Sequence, residues 1–243
     1  MQARGGNGTN QRRIVIKNRA FNLEREALLA SGVEAKRQIA EYGKKLDSLS
    51  QKFTREKVPS SHWLLKAKEL FIWLWEKKPA RYKPRGSFKI DQVIDAQLSE
   101  DGQAVGNCLG LTLIYNCLLY RIGIKAGASY LENAFDFEIG PHVLTTIQTK
   151  ASAIDIENIL PVGFDYKGHL DNPSRTRWGD QELVADIYHS MGNECFEKEE
   201  FTEALKNYKM AIRLNPRYEK ARLNKAILLD RMSGAGKGAK NGR

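Results

Sequence analysis

The sequence is poor in cysteine: Cys108, Cys117 and Cys195 are its only three, with no CxxC pair and no even framework. That excludes a disulfide scaffold and a cysteine-type structural zinc site, and it fits a reducing compartment. Histidine is nearly as scarce, at positions 62, 142, 169 and 189, so chemistry joining a cysteine to a histidine has few candidates. Long apolar runs are missing too. The longest, "LFIWLW" at 70–75, falls far short of the roughly 18 residues that a membrane-spanning helix requires. The N-terminal "MQARGGNGTNQRR" is basic, but no apolar stretch of a secretory signal follows it. No membrane association is expected, and the expected location is the cytoplasm. Aromatic-interleaved basic motifs are also lacking. The net charge of +10 comes instead from basic ends flanking an acidic middle over 88–171, and its basic residues are mixed with glutamates on helix faces. Nucleic acid is therefore not the expected partner.

What is present is enough apolar mass for a real core, 42% of 243 residues. Only the ends differ: 1–13 and 233–243 ("SGAGKGAKNGR") are rich in Gly, Asn, Lys and Arg, which predicts disorder. Between them, apolar residues at helical spacing predict two helices between Asn22 and Phe53, the second over 33–53. A third lies in "SSHWLLKAKELFIWLWEKK" and ends before Pro79. A fourth carries Phe88, Ile90, Val93, Ile94 and Leu98 on one side, and a fifth spans 106–122 with Gly123 as its C-cap. The period then changes. "HVLTTIQTKASAIDIEN" alternates and is β-branched, which predicts a strand, a turn centred near Gln148 and Thr149, and a second strand. Helices followed by strands within one segment predict an α+β fold, a helical layer packed on an antiparallel sheet. This core is expected over 58–171, behind a basic tail and helical segment at 1–57.

The C-terminal part has its own pattern. Tyr188, Met191, Gly192 and Cys195, then Ala204, Tyr208, Ala211 and Pro216, follow the spacing of a tetratricopeptide (TPR) repeat, and the stretch 180–232 resembles one such unit plus the first helix of another. One and a half repeats cannot bury their own core, so the unit is expected to dock on the rest of the chain or on another copy. The resemblance implies a protein partner, reached through this unit and the basic flanks.

The stretch "GNCLGLTLIYNCLLYRIGI" at 106–124 raises the question of chemistry. Gly106 and Asn107 supply a flexible approach and an N-cap, placing Cys108 in the first helical turn, where unpaired N–H groups and the helix dipole favour a thiolate. Cys117 lies nine residues on, roughly 13 Å along the axis and on the opposite side. It reads as a packing residue, as does Cys195. His142 opens the first strand and Asp155 lies in the second, and a turn near Gln148 and Thr149 would set them side by side, the Asp holding the His in one tautomer. His169, in "GFDYKGHL", has Asp165 and Asp171 nearby but no second histidine at ligand spacing, so no metal is expected, and no cofactor. His62 and His189 read as structural or exposed.

The run "GNCLGLTLIYNCLLYRIGI", "PHVLTTI", "IDIEN" resembles the transglutaminase-like superfamily of papain-related cysteine enzymes. Its motifs are a Cys in a helix that ends in "LLxxLGI", then His, then Asp, and the resemblance covers about 88–171. It implies that Cys108 is the nucleophile, His142 the general base and acid, and Asp155 the orienting group, with Gln103 as an oxyanion donor. The implied substrate is a peptide or protein amide. Hydrolysis is expected over cross-linking, because nothing suggests the accessory domains or metal loops of the large cross-linking enzymes. The sequence departs from the pattern at Leu144, where an aromatic residue is common, and at Ile156 and Glu157, where "DP" or "DxT" is common. The competing expectation is an inactive member that serves as an interaction module.

Overall fold

Side chains at the helix ends set where each element begins. In a computed structural model, which describes residues 21–57, 59–134, 140–150 and 152–238, Asn22 accepts the N–H of Arg25 at 2.9 Å and caps α1 (Leu23–Ala30). Glu24 and Glu26 occupy its first turn, where the dipole favours carboxylates. The chain leaves α1 through Gly32, whose φ of 94° is left-handed, and enters α2 (Lys36–Lys57), which buries only Leu46, Leu49 and Phe53. Next, α3 (Trp63–Lys77) stops before Pro79 and buries Phe71, Trp73 and Leu74. Each such side chain contributes about 1.5–3 kcal/mol by leaving water.

After the short α4 (Ile90–Leu98) comes α5 (Cys108–Arg121), in which every residue from Leu109 to Leu119 is buried. A helix apolar all round is covered all round: α2 and α4 pack on α5 from the helical layer, and β2 (His142–Gln148) packs on it from the sheet. That sheet holds β1 (Gly127–Leu131), β2, β3 (Ala153–Ile156) and β4 (Arg175–Trp178), antiparallel throughout, in the order β3-β2-β1-β4. The architecture is the expected α+β.

Three details correct the sequence reading. The sheet has four described strands where two were expected, because "GASYL" is small-residue and "RTRW" is charged, and neither shows the apolar alternation that marks a strand. Since β4 lies beyond residue 171, a core ending there would cut the sheet. The β2–β3 register also differs: Thr146 pairs with Asp155 and Gln148 with Ala153. Thr149 and Ser152 close the turn instead, the Thr149 N–H and Oγ1 both donating to the Ser152 carbonyl at 2.8 Å.

Three further helices follow, α6 (Asp180–Glu197), α7 (Phe201–Leu214) and α8 (Glu219–Gly238). A Cβ at Gly192 would meet the Tyr208 ring at 2.5 Å, so glycine lets α6 and α7 close on each other. They dock on the core through Tyr218, which lies edge-on to Tyr130 and Trp178, and through a Lys89–Glu194 ion pair at 2.7 Å. The stretches 1–13 and 239–243, expected to be disordered, lie outside the described residues, while 233–238 continue α8. No helix among the described residues is long and apolar enough to cross a membrane.

Candidate active site

The approach to Cys108 is built by two backbone segments lying side by side. The Arg81 carbonyl accepts the N–H groups of Val105 and Gly106 at 2.8 and 3.2 Å, Lys83 N–H donates to the Gly106 carbonyl at 3.1 Å, and Asn107 N–H donates to Ser87 at 3.1 Å. Gly110 makes this closeness possible: a Cβ there would stand 2.4 Å from the Ser87 carbonyl oxygen and 2.7 Å from a Val93 methyl. The Asn107 side chain accepts the Gly110 N–H at 3.0 Å and caps α5. The N–H groups of Cys108 and Leu109 then stand outside the helix's own ladder, as first-turn donors do. Cys108 is half-buried at this end, whereas Cys117 and Cys195 are buried and burial pushes both their thiols up.

His142, at the start of β2, has a side chain with no exposed surface. Its Nε2 is 2.8 Å from Glu157 Oε2, and Cys108 lies near enough to the ring to act on its titration. Burial by itself would lower the pKa of His142, but the neighbouring Cys108 and the Glu157 carboxylate outweigh it and hold the imidazole up at about 10. Glu157 shows the converse: burial would raise it, yet the imidazoles of His142 and His169 hold it below the ordinary carboxylate value.

The structure thus pairs His142 with Glu157 near Cys108 and puts Asp155 elsewhere. Asp155 is buried, accepts the Thr146 hydroxyl at 3.0 Å, and takes both ends of the Arg175 guanidinium, one at 2.8 Å. The reason is register. Asp155 and Glu157 are two apart and share a face, and the turn at 149–152 slides that face along β2, so Asp155 sits beside Thr146 instead of His142. Gln103 is exposed in the loop before α5, its backbone N–H on Asp101, and no described contact joins its side chain to Cys108.

Sequence reasoning also missed the polar stitch that fixes α5 against β2. Thr145 donates to Asn116 at 2.7 Å, and Asn116 donates to the Gly127 carbonyl at 3.0 Å. Asn158, next to Glu157, donates to Thr145 at 2.9 Å and to Thr112 at 3.2 Å. A buried hydrogen-bonded network favours one relative placement of its elements, here the helix with the cysteine and the strand with the histidine. The threonines and asparagines carried no signal beyond their presence inside an otherwise apolar pattern.

His169 is the other missed residue. Its side chain has no exposed surface, and its Nε2 lies 3.2 Å from the same Glu157 oxygen that His142 contacts. The ligand atoms of His142, Glu157 and His169 all fall within 4.8 Å of one another, a donor set of the kind that transition metals accept. Spacing along the chain gave no hint, because the two histidines lie on β2 and on a loop between β3 and β4.

Comparison with known proteins covers only one part of the chain. Residues 192–232 match the model of the TPR repeat, spanning the end of α6, α7 and most of α8. The chain therefore carries a TPR repeat. No curated protein and no solved structure matches it.

Proposed function

We propose that the chain is a cysteine-dependent acyl-transfer enzyme of transglutaminase-like type that acts on amide bonds, more simply by hydrolysis than by cross-linking. The observation that carries this is the buried His142–Glu157 pair next to Cys108, which itself stands at a helix N-terminus. In this reading the Cys108 sulfur attacks the amide carbonyl, His142 takes the thiol proton and returns it to the leaving amine, and water then cleaves the thioester. Glu157, in place of Asp155, fixes the imidazole and balances its charge. The N–H groups of Cys108 and Leu109 are the oxyanion donors, in place of Gln103. Tyr130 lines a 440 Å³ cavity with Thr176, Trp178 and Arg217, where a peptide substrate or partner would sit between the sheet and the TPR helices.

The TPR match favours a second role, binding of a protein partner, since such repeats generally mediate protein–protein contacts. Exposed Leu223, Ile227 and Leu229 on α8, where a further repeat would stack, support it. The basic flanks are part of the same proposal.

Residue-resolved iodoacetamide labelling near pH 6 tests the enzymatic reading. Cys108 is expected to label at least about tenfold faster than Cys117 and Cys195. His142→Ala is expected to slow Cys108 by about 10–100-fold even though it opens space beside the sulfur. Equal, slow labelling of all three cysteines, insensitive to His142, would leave an interaction module with an idle core.

A further inference from the structure

Glu157 is a buried carboxylate with an unusual set of partners. Its Oε2 meets two imidazoles, His142 at 2.8 Å and His169 at 3.2 Å, and its Oε1 accepts the Ile159 N–H at 3.3 Å. No lysine or arginine is bonded to it among the described residues. Two residues away, Asp155 has the opposite arrangement, with an arginine on both oxygens. Both His142 and His169 have fully covered side chains, so neither contact is solvent-averaged.

The loop that carries His169 is itself held against this carboxylate. Glu157 N–H donates to the Gly163 carbonyl at 2.8 Å, and a Cβ at Gly163 would lie only 2.0 Å from the Glu157 carbonyl oxygen, so the approach requires glycine. Tyr166 N–H bonds the Asp155 carbonyl at 2.9 Å, and the Tyr166 ring stands edge-on to His169 at 5.0 Å. Arg175, clamped by Asp155, reaches the His169 carbonyl at 3.4 Å. The acid that the sequence pattern offers for the triad thus anchors, through Arg175, the loop that brings in a second imidazole.

We propose that His169 is a positioning residue of the acyl-transfer site: held by the Asp155–Arg175 pair, it contacts the same Glu157 oxygen as His142 and locks that carboxylate so that His142 faces Cys108. This rests on the reading of Cys108 and His142 as nucleophile and base. A carboxylate held by His142 and the Ile159 N–H alone could rotate its Oε2 away and take the imidazole with it. A second imidazole packed at 3.2 Å against the same oxygen removes that freedom, and the orientation of a base is what the third member of such a line supplies.

The test is the pH dependence of Cys108 alkylation by iodoacetamide, from pH 5 to 9, in the full chain. His169→Ala is expected to lower the rate near pH 6 about tenfold and to lose less at pH 9, and His169→Gln, which fills the space and offers an N–H, is expected to recover at least part of the loss. A wild-type profile in folded His169→Ala overturns the proposal. So does stoichiometric zinc in the purified wild-type chain that is lost in His169→Ala, because His169 is then a metal ligand. Should both variants unfold, ¹⁵N-histidine spectra of the wild type decide: ring N–H signals of both His142 and His169 protected from solvent exchange support the lock, and a solvent-exchanging His169 ring overturns it. His142→Ala is the control. If it leaves the rate unchanged, the acyl-transfer reading fails; if it slows Cys108 while His169→Ala does not, only the role of His169 fails.

Discussion

Two buried histidines, His142 and His189, each lie near a carboxylate, and the regions around them use that pairing differently. In the TPR helices, His189 Nδ1 is 3.1 Å from the Tyr218 hydroxyl and Nε2 is 3.0 Å from the Asn224 amide, while Asp186 stands back at 3.6 Å and accepts the Tyr218 hydroxyl at 2.5 Å. The network continues to Asn193 and Tyr208 and ends in neutral groups. It ties α6, α7 and α8 together. At His142 the carboxylate touches the ring directly and the other neighbour is a thiol. The same side-chain types serve as cement where every partner is an amide or hydroxyl. They form a candidate proton path where the chain ends on a half-buried sulfur.

The sharpest way to break this comparison is to neutralise the acids. Glu157→Gln is expected to slow Cys108 alkylation near pH 6 by about 100-fold, the scale of a lost general-base orientation. Asp155→Asn is expected to cost about 3 kcal/mol of stability by unpairing Arg175, with less than a tenfold change in alkylation. The reverse outcome would return the triad acid to Asp155. Tyr218→Phe removes the hydroxyl shared by His189 and Asp186. A loss of about 1–3 kcal/mol in urea denaturation is expected, with Cys108 labelling unchanged; a slowed Cys108 would show that the two clusters are not independent.

A last effect concerns pH. His142 is held at about 10 against an ordinary 6.5, so its contribution to stability is fully present below the ordinary value and is lost as pH rises through the folded one. Glu157 is held low, so its contribution is present above its ordinary 4.5 and is lost as pH falls. The unfolding free energy is therefore expected to decline from pH 7 towards 10 in the wild type. Glu157→Gln should flatten that decline.

Much of the architecture was legible along the chain. Apolar spacing located α2, α3, α4 and α5, β-branched alternation located β2 and β3, and Gly192 with Ala204, Tyr208 and Pro216 marked the TPR helices. The strands β1 and β4 were not legible, since small or charged residues become strands here only by pairing with neighbours. Nor was the register of β2 on β3 within reach. A slide by an even number of residues keeps every side chain on its face, so the hydrophobic pattern gives no penalty. Asp155 and Glu157 were therefore equivalent candidates by pattern, and the Thr149–Ser152 turn separated them.

By itself, the sequence determined that a cysteine begins a helix capped by Asn107, that a histidine opens a strand after it, and that a TPR repeat follows. These are local facts, set by capping, periodicity and spacing. Only the tertiary structure decided which acid meets His142, that His169 comes to the same oxygen, and that Asp155 is spent on Arg175. Those choices depend on strand register and on a loop admitted by Gly163, and long-range pairing of this kind leaves no periodic trace in the chain.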